Sequence, residues 1–203
     1  AAGIANEFIA KAKATLADSY PANMVLLRGF AHYPDFPKMS EVFRLKPAAI
    51  AAYPMYRGLA RVVGMELLPT GTAIEDQFLT LVQHYHSYDF FFVHVKQADT
   101  AGEDGDFERK VRIIEEVDSA LPKLIDLDPD VTIVTADHST PAVLKGHSWH
   151  PVPFLLNSKW CRRDAVEEFS ERACVSGALG RFPATEVMPL ALAHALKLTK
   201  FGA

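Results

Sequence analysis

Asp137 and His138 close the run Val131-Thr-Ile-Val-Thr-Ala-Asp137-His138-Ser-Thr-Pro141. A carboxylate oxygen beside an imidazole nitrogen suits a divalent cation such as Mn or Zn. Asp99 and, four residues on, Glu103 stand in Lys96-Gln-Ala-Asp99-Thr-Ala-Gly102-Glu103-Asp104-Gly105-Asp106. His147 stands in Lys145-Gly-His-Ser-Trp-His150, just before Pro151-Val-Pro153. Two carboxylates, an Asp-His pair and one more His could hold two divalent cations. Such a pair of cations clamps the attacking and leaving oxygens of a phosphoryl transfer. Asp104 and Asp106 read better as turn formers and as the cap of a helix starting at Phe107.

The elements around these residues predict how they would be positioned. Val131 to Ala136 is β-branched and apolar, the pattern of a buried strand, and Pro141 ends the segment. In α/β sheets ligands sit beyond the carboxyl ends of strands, where Asp137 and His138 would emerge. Phe90-Phe-Phe-Val-His-Val95 reads as a central strand covered on both faces, followed by the acidic loop from Lys96 to Asp106. Phe107, Val111, Ile114, Val117, Leu121 and Leu124 step by three or four, which predicts a long helix to Ile125 that Pro122 should kink or end. Val152 to Leu156, with two prolines around it, reads as an edge strand or a strand entry. Earlier in the chain, a helix is expected from Ala5 to Ala17 and a strand from Asn23 to Gly29 that ends near Arg28. A second strand is expected from Pro47 to Tyr53, a helix from Met55 to Val63, a short strand at Met65–Pro69 and a helix from Ala73 to His86. Helices are also expected at Glu167–Cys174 and Thr185–Leu198. This alternation of strand and helix predicts an α/β domain with a mostly parallel sheet.

Composition narrows the function classes. The chain has 203 residues, 49% hydrophobic and 23% charged, which is ordinary for a soluble globular protein. A net charge of −4 without a long basic run argues against nucleic acid as the main partner. Cys161 and Cys174 are the only cysteines, so no disulfide framework is expected and a reducing cytosolic setting is. No apolar run reaches membrane-spanning length. The N-terminus lacks the pattern of a signal peptide and an initiator Met, and reads as a chain already under way.

Three of these segments, taken together, resemble a family. They are Asp99-Thr-Ala-Gly-Glu-Asp-Gly-Asp-Phe-Glu-Arg-Lys-Val, Thr-Ala-Asp-His-Ser-Thr-Pro and Gly-His-Ser-Trp-His-Pro-Val-Pro. They look like the archaeal-type 2,3-bisphosphoglycerate-independent phosphoglycerate mutases of the alkaline phosphatase superfamily. The likeness extends to Leu26-Leu-Arg-Gly29, Tyr56-Arg-Gly-Leu-Ala-Arg61 with Gly64-Met65, and Ser176-Gly-Ala-Leu-Gly180. It implies an alkaline-phosphatase-like three-layer α/β sandwich with a mostly parallel sheet, incomplete at the N-terminus. Residues 1–22 would be helix and linker from a preceding substrate-domain region, and 23–203 the C-terminal part of a metal-binding phosphatase-like domain.

The resemblance also implies site residues. One metal would be held by Asp99, Glu103 and His147, the other by Asp137 and His138 with groups from the N-terminal part of the enzyme. The family usually has His where this chain has Glu103. A carboxylate still binds Mn or Mg and shifts preference away from Zn. The expected cofactors are two divalent ions, Mn first, with Mg, Zn or Co as alternatives. Arg28, Arg57 and Lys96 are the substrate-binding candidates, since guanidinium groups clamp phosphate and carboxylate bidentately. Arg57-Gly58 replaces the more usual Lys-Gly and keeps the cation.

The family's nucleophilic serine, in a Pro-Gly-Ser-Asp-like motif, and its early metal-binding Asp have no counterpart here. No family precedent makes Ser139 or Ser148 the nucleophile. The expectation is therefore the cytoplasmic metal-site portion of an enzyme interconverting 3- and 2-phosphoglycerate through a phosphoserine, inactive without its missing N-terminal part. Rival expectations are a metal-dependent phosphomonoesterase, an enzyme labelled phosphonopyruvate decarboxylase (though no thiamine-binding pattern is present), and a non-catalytic degenerate domain.

Overall fold

Residues 1–200 are described by the structure, a computed structural model, and they fall into two units, the first Ala1–Phe36 and the second from Pro37 onward. The first unit holds one helix, α1, Ala2–Thr15, and buries none of its residues. No strand forms between Asn23 and Gly29, contrary to the apolar pattern there. A strand satisfies its backbone only through a ladder, and this unit offers no second strand to pair with.

The second unit begins with α2, Met39–Phe43, whose Glu41 carboxylate accepts a hydrogen bond from the Lys38 backbone N–H at 3.1 Å. Next come β1, Pro47–Ala51, and α3, Pro54–Val62. Pro54 opens α3 where its missing N–H costs nothing. A two-residue strand, β2, Glu66–Leu67, precedes α4, Ile74–His84, and a 3-10 turn leads into β3, Phe90–His94. The three strands are parallel in the order β2-β1-β3, with Ala48 opposite both Glu66 and Phe91 and Ala51 opposite His94.

β1, and not β3, is therefore the central strand, and every residue of β1 is buried. Its sequence, Pro-Ala-Ala-Ile-Ala, carries small side chains that let α3 and α4 pack against it. β3 lies at the edge and its residues are half-buried. An uninterrupted apolar run reports covered faces, not paired edges, which is why periodicity misplaced it.

Two apolar clusters hold these layers. Ala48 and Ile50 of β1 meet Leu68 and Leu81, with Phe91 and Val93 packed alongside. Ile74 and Phe78 of α4 meet Ala101, Ile113 and Ala120. Each large aliphatic or aromatic side chain buried in this way contributes about 1.5–3 kcal/mol relative to exposure.

The segment after β3, expected as a loop, is a helix, α5, Gln97–Asp104, closed by Gly105 at φ 75°. Its Asp, Thr and Gly content reads as a turn, but tertiary packing overrides it. Ala101 is wholly buried, and Gly102 backs onto the Thr140 carbonyl so closely that a side chain there would collide. α6, Phe107–Ile125, starts at Asp106, whose carboxylate accepts from the Arg109 N–H at 2.9 Å. It runs through Pro122 to Ile125, although the missing proline N–H leaves the Asp118 carbonyl without its helical bond.

β4, Val131–Val134, pairs antiparallel with β5, Leu155–Ser158, matching Val131 with Ser158 and Val134 with Leu155. Among the described residues this two-stranded sheet is separate from the parallel one. α7, Glu171–Cys174, is capped by Ser170, and α8, Val187–His194, follows a 3-10 turn. The class is mixed α/β with a parallel sheet, as expected, but β4 does not extend that sheet. No helix among the described residues is long and apolar enough to cross a membrane.

Candidate metal centre

Asp99, His138 and His147 each offer a ligand atom, and these atoms lie within 4.8 Å of one another. Asp99 is on α5 just beyond β3, His138 follows β4, and His147 precedes β5. Each is thus set by a strand end or by the loop that joins two strands. An isolated antiparallel bridge between Ser139 and Ser148, with the Ser148 N–H donating to the Ser139 carbonyl at 2.9 Å, ties together the residues that come after the two histidines. Their rings end 3.9 Å apart between centroids.

Helix α5 puts Asp99 and Glu103 on one face, one turn apart. His147 Nε2 lies 3.7 Å from Asp99 Oδ1 and 3.6 Å from Glu103 Oε1. Asp137 completes the group from the other side, with Oδ2 at 3.4 Å from His138 Nε2. All five sequence-predicted ligands therefore converge, although Asp137 and Glu103 stand at the rim of the tightest trio.

Thr140, to which residue spacing assigned no role, orders this cluster. Its hydroxyl donates to Asp99 Oδ1 and lies 3.1 Å from His138 Nδ1. A hydroxyl has one proton. With that proton given to Asp99, Thr140 accepts from His138, so a neutral His138 carries its proton on Nδ1 and leaves Nε2 free. Nε2 and Asp137 Oδ2 then face each other as two lone-pair donors, an arrangement that a cation relieves. Fixing the tautomer of a ligating histidine in this way is how neighbours of a metal site tune it. Thr140 is itself buried, and Lys110 Nζ donates to its carbonyl at 2.6 Å.

Lys96 forms an ion pair with Asp99 and lies 3.8 Å from Glu103 Oε2. The hydrogen bond with Asp99 raises the Lys96 pKa. Burial by itself would raise the Asp99 carboxyl, but hydrogen bonds from Lys96 and Thr140 hold it below the usual value. The donor set of carboxylates and imidazoles, already balanced by an ammonium group, fits a divalent cation of the Mn, Mg or Zn type. A cleft of about 220 Å³ opens beside Lys96, lined also by Tyr53, Pro54, Thr72, His94 and Gln97.

The remaining candidates are placed differently. Arg57 Nη1 donates to the Ala51 carbonyl at 3.0 Å, so part of its guanidinium closes the end of β1. Arg28 belongs to the first unit. Ser139 donates to the His150 carbonyl at 3.2 Å and Ser148 Oγ lies 2.9 Å from His150 Nδ1, so both hydroxyls are engaged within their loop. Tyr56, which donates to Asp137 Oδ2, is a further neighbour that spacing did not reveal.

The profile of the Metalloenzyme superfamily matches residues 3–194. The chain belongs to the Metalloenzyme superfamily. A Thermotoga petrophila relative named probable 2,3-bisphosphoglycerate-independent phosphoglycerate mutase is 53% identical over 202 residues, covering 100% of this chain and 50% of the relative. Relatives with the same name from Thermosipho africanus and Aquifex aeolicus are 54% and 48% identical, covering 98% and 100% of this chain and again 50% of each relative. This Metalloenzyme superfamily chain thus spans about half the length of the curated relatives it matches. A solved Pyrococcus horikoshii protein superposes with a TM-score of 0.91 at 31% identity, covering 100% of this chain and 59% of that one. The cofactor-independent phosphoglycerate mutase of Thermoplasma acidophilum superposes at 0.68 and 25% identity, covering 96% of this chain and 52% of its own.

Proposed function

We propose that this chain is the metal-site portion of a 2,3-bisphosphoglycerate-independent phosphoglycerate mutase, which interconverts 3- and 2-phosphoglycerate. The reading is supported by the relatives' names and by the convergence of Asp99, His138 and His147 within 4.8 Å. That convergence is the observation that carries it. Two divalent cations, Mn first, would be held by Asp99, Glu103 and His147 and by Asp137 and His138. When bound, they would neutralise charge on a phosphoryl group and lower the pKa of a hydroxyl nucleophile. The position of Glu103 Oε1, 3.6 Å from His147 Nε2, favours a working ligand over a degenerate site.

In this reading the nucleophilic serine, and the phosphoserine it forms, lie outside this chain, and so do further ligands. Residues 1–22 belong to the substrate region and 23–203 to the phosphatase-like domain. Lys96 keeps Asp99 ionised and lines the cleft, where it can meet a phosphate or carboxylate. Arg57 supplies a further cationic contact. The protein acts in the cytoplasm, in keeping with its free Cys161 and Cys174.

The test is an assay with 3-phosphoglycerate and Mn on this chain and on a full-length form that carries the N-terminal half. The full-length form is expected to make 2-phosphoglycerate and this chain alone none. Robust turnover by this chain alone would refute its dependence on the missing half. Release of phosphate without isomerisation would replace the mutase by a phosphomonoesterase.

A further inference from the structure

Tyr56 sits in the first turn of α3, immediately beyond the end of β1, and its ring is buried. The ring stacks on His94, the last residue of β3, with centroids 3.5 Å apart and planes at 23°, and Phe92 lies 6.5 Å away. Its hydroxyl leaves this aromatic layer and donates to Asp137 Oδ2, across a sequence separation of 81 residues. The phenol thus links the parallel β1–β3 sheet to the turn after β4.

Asp137 needs such a link. Its side chain is 48% exposed, and a carboxylate so open to water turns freely about its last bond. Tyr56 holds Oδ2, the oxygen that lies 3.4 Å from His138 Nε2, and so fixes the carboxylate beside that nitrogen, while Oδ1 and the second lone pair of Oδ2 stay open to a cation. A phenol suits this task because it stays protonated beside a carboxylate. The ring needs no tether of its own, since the stack on His94 fixes it.

We propose that Tyr56 is a positioning residue that aims the Asp137 carboxylate at a divalent cation shared with His138. The inference rests on the metal-site reading given under Proposed function. Orienting partners of this kind change metal affinity by about 10–100-fold.

The test is Mn(II) titration, followed by the electron paramagnetic resonance signal of free Mn, on the full-length form that carries the N-terminal half, unaltered and with Tyr56→Phe, Asp137→Ala or both. Phe keeps the ring and its stack and removes only the hydroxyl. Tyr56→Phe is expected to weaken, by tenfold or more, the class of Mn sites that Asp137→Ala weakens most, with the metal-free melting curve unchanged. In the Asp137→Ala background the same change should have no further effect, which a merely structural role would not produce. Mn binding that Tyr56→Phe leaves intact overturns this inference alone. A loss of equal size in the Asp137→Ala background also overturns it. No Mn binding by the unaltered full-length form overturns the metal-site reading and this inference with it.

Discussion

Asp99 is the residue on which most interactions converge, because it accepts from both Lys96 and Thr140 and approaches both histidines. Its pKa in the folded chain lies below that in the unfolded chain. A carboxyl lowered in this way stabilises the fold at pH values above about 4, where the unfolded group ionises. The contribution is lost as pH falls through the folded value. Metal-free protein should therefore show a melting temperature that drops with acidification below about pH 4, and Asp99→Asn should flatten that drop. Thermal melts of both proteins from neutral pH downwards measure it, and parallel curves would rule out Asp99 as a contributor.

At the scale of elements, the contact between α5 and the turn after β4 decides where the ligands sit. Gly102 has its back to the Thr140 carbonyl, and a Cβ there would meet backbone, which cannot swing aside. Gly→Ala in a helix ordinarily gains about 1 kcal/mol from propensity. Overpacking against a rigid neighbour costs about 1–3 kcal/mol, so the collision should win. Gly102→Ala is expected to be destabilising by about 1 kcal/mol net, read from urea denaturation. It should also weaken Mn binding, because the push falls on the residue that orients Asp99 and His138. A stabilised Gly102→Ala variant would mean that α5 and Thr140 are not in tight contact.

For the whole molecule, binding of a cation to the folded state alone should raise stability. At 100 times the dissociation constant the gain is about 2.7 kcal/mol, which corresponds to about 5–10 °C for a chain of this size. Addition of Mn should raise the melting temperature by that much, and a chelator should reverse it. Replacing Asp99 and His147 together by Ala should remove most of the rise. A melt indifferent to Mn would count against the cluster as a metal centre.

Much of this was legible without coordinates. Carboxylate and imidazole types, held in short segments, nominated Asp99, Glu103, Asp137, His138 and His147. Helical periodicity marked α6, and apolar runs marked β1, β3 and β4, because those signals are local. What only the tertiary structure decided were the relations between segments. It made the Asp99 segment a helix by packing Gly102 on Thr140, put β1 rather than β3 at the sheet centre, and paired β4 with β5 instead of the parallel sheet. It also brought Thr140 and Tyr56 to the ligands. Hydrogen bonds that span 41 and 81 residues leave no trace in periodicity or spacing, since their partners are chosen by the fold and not by neighbours along the chain.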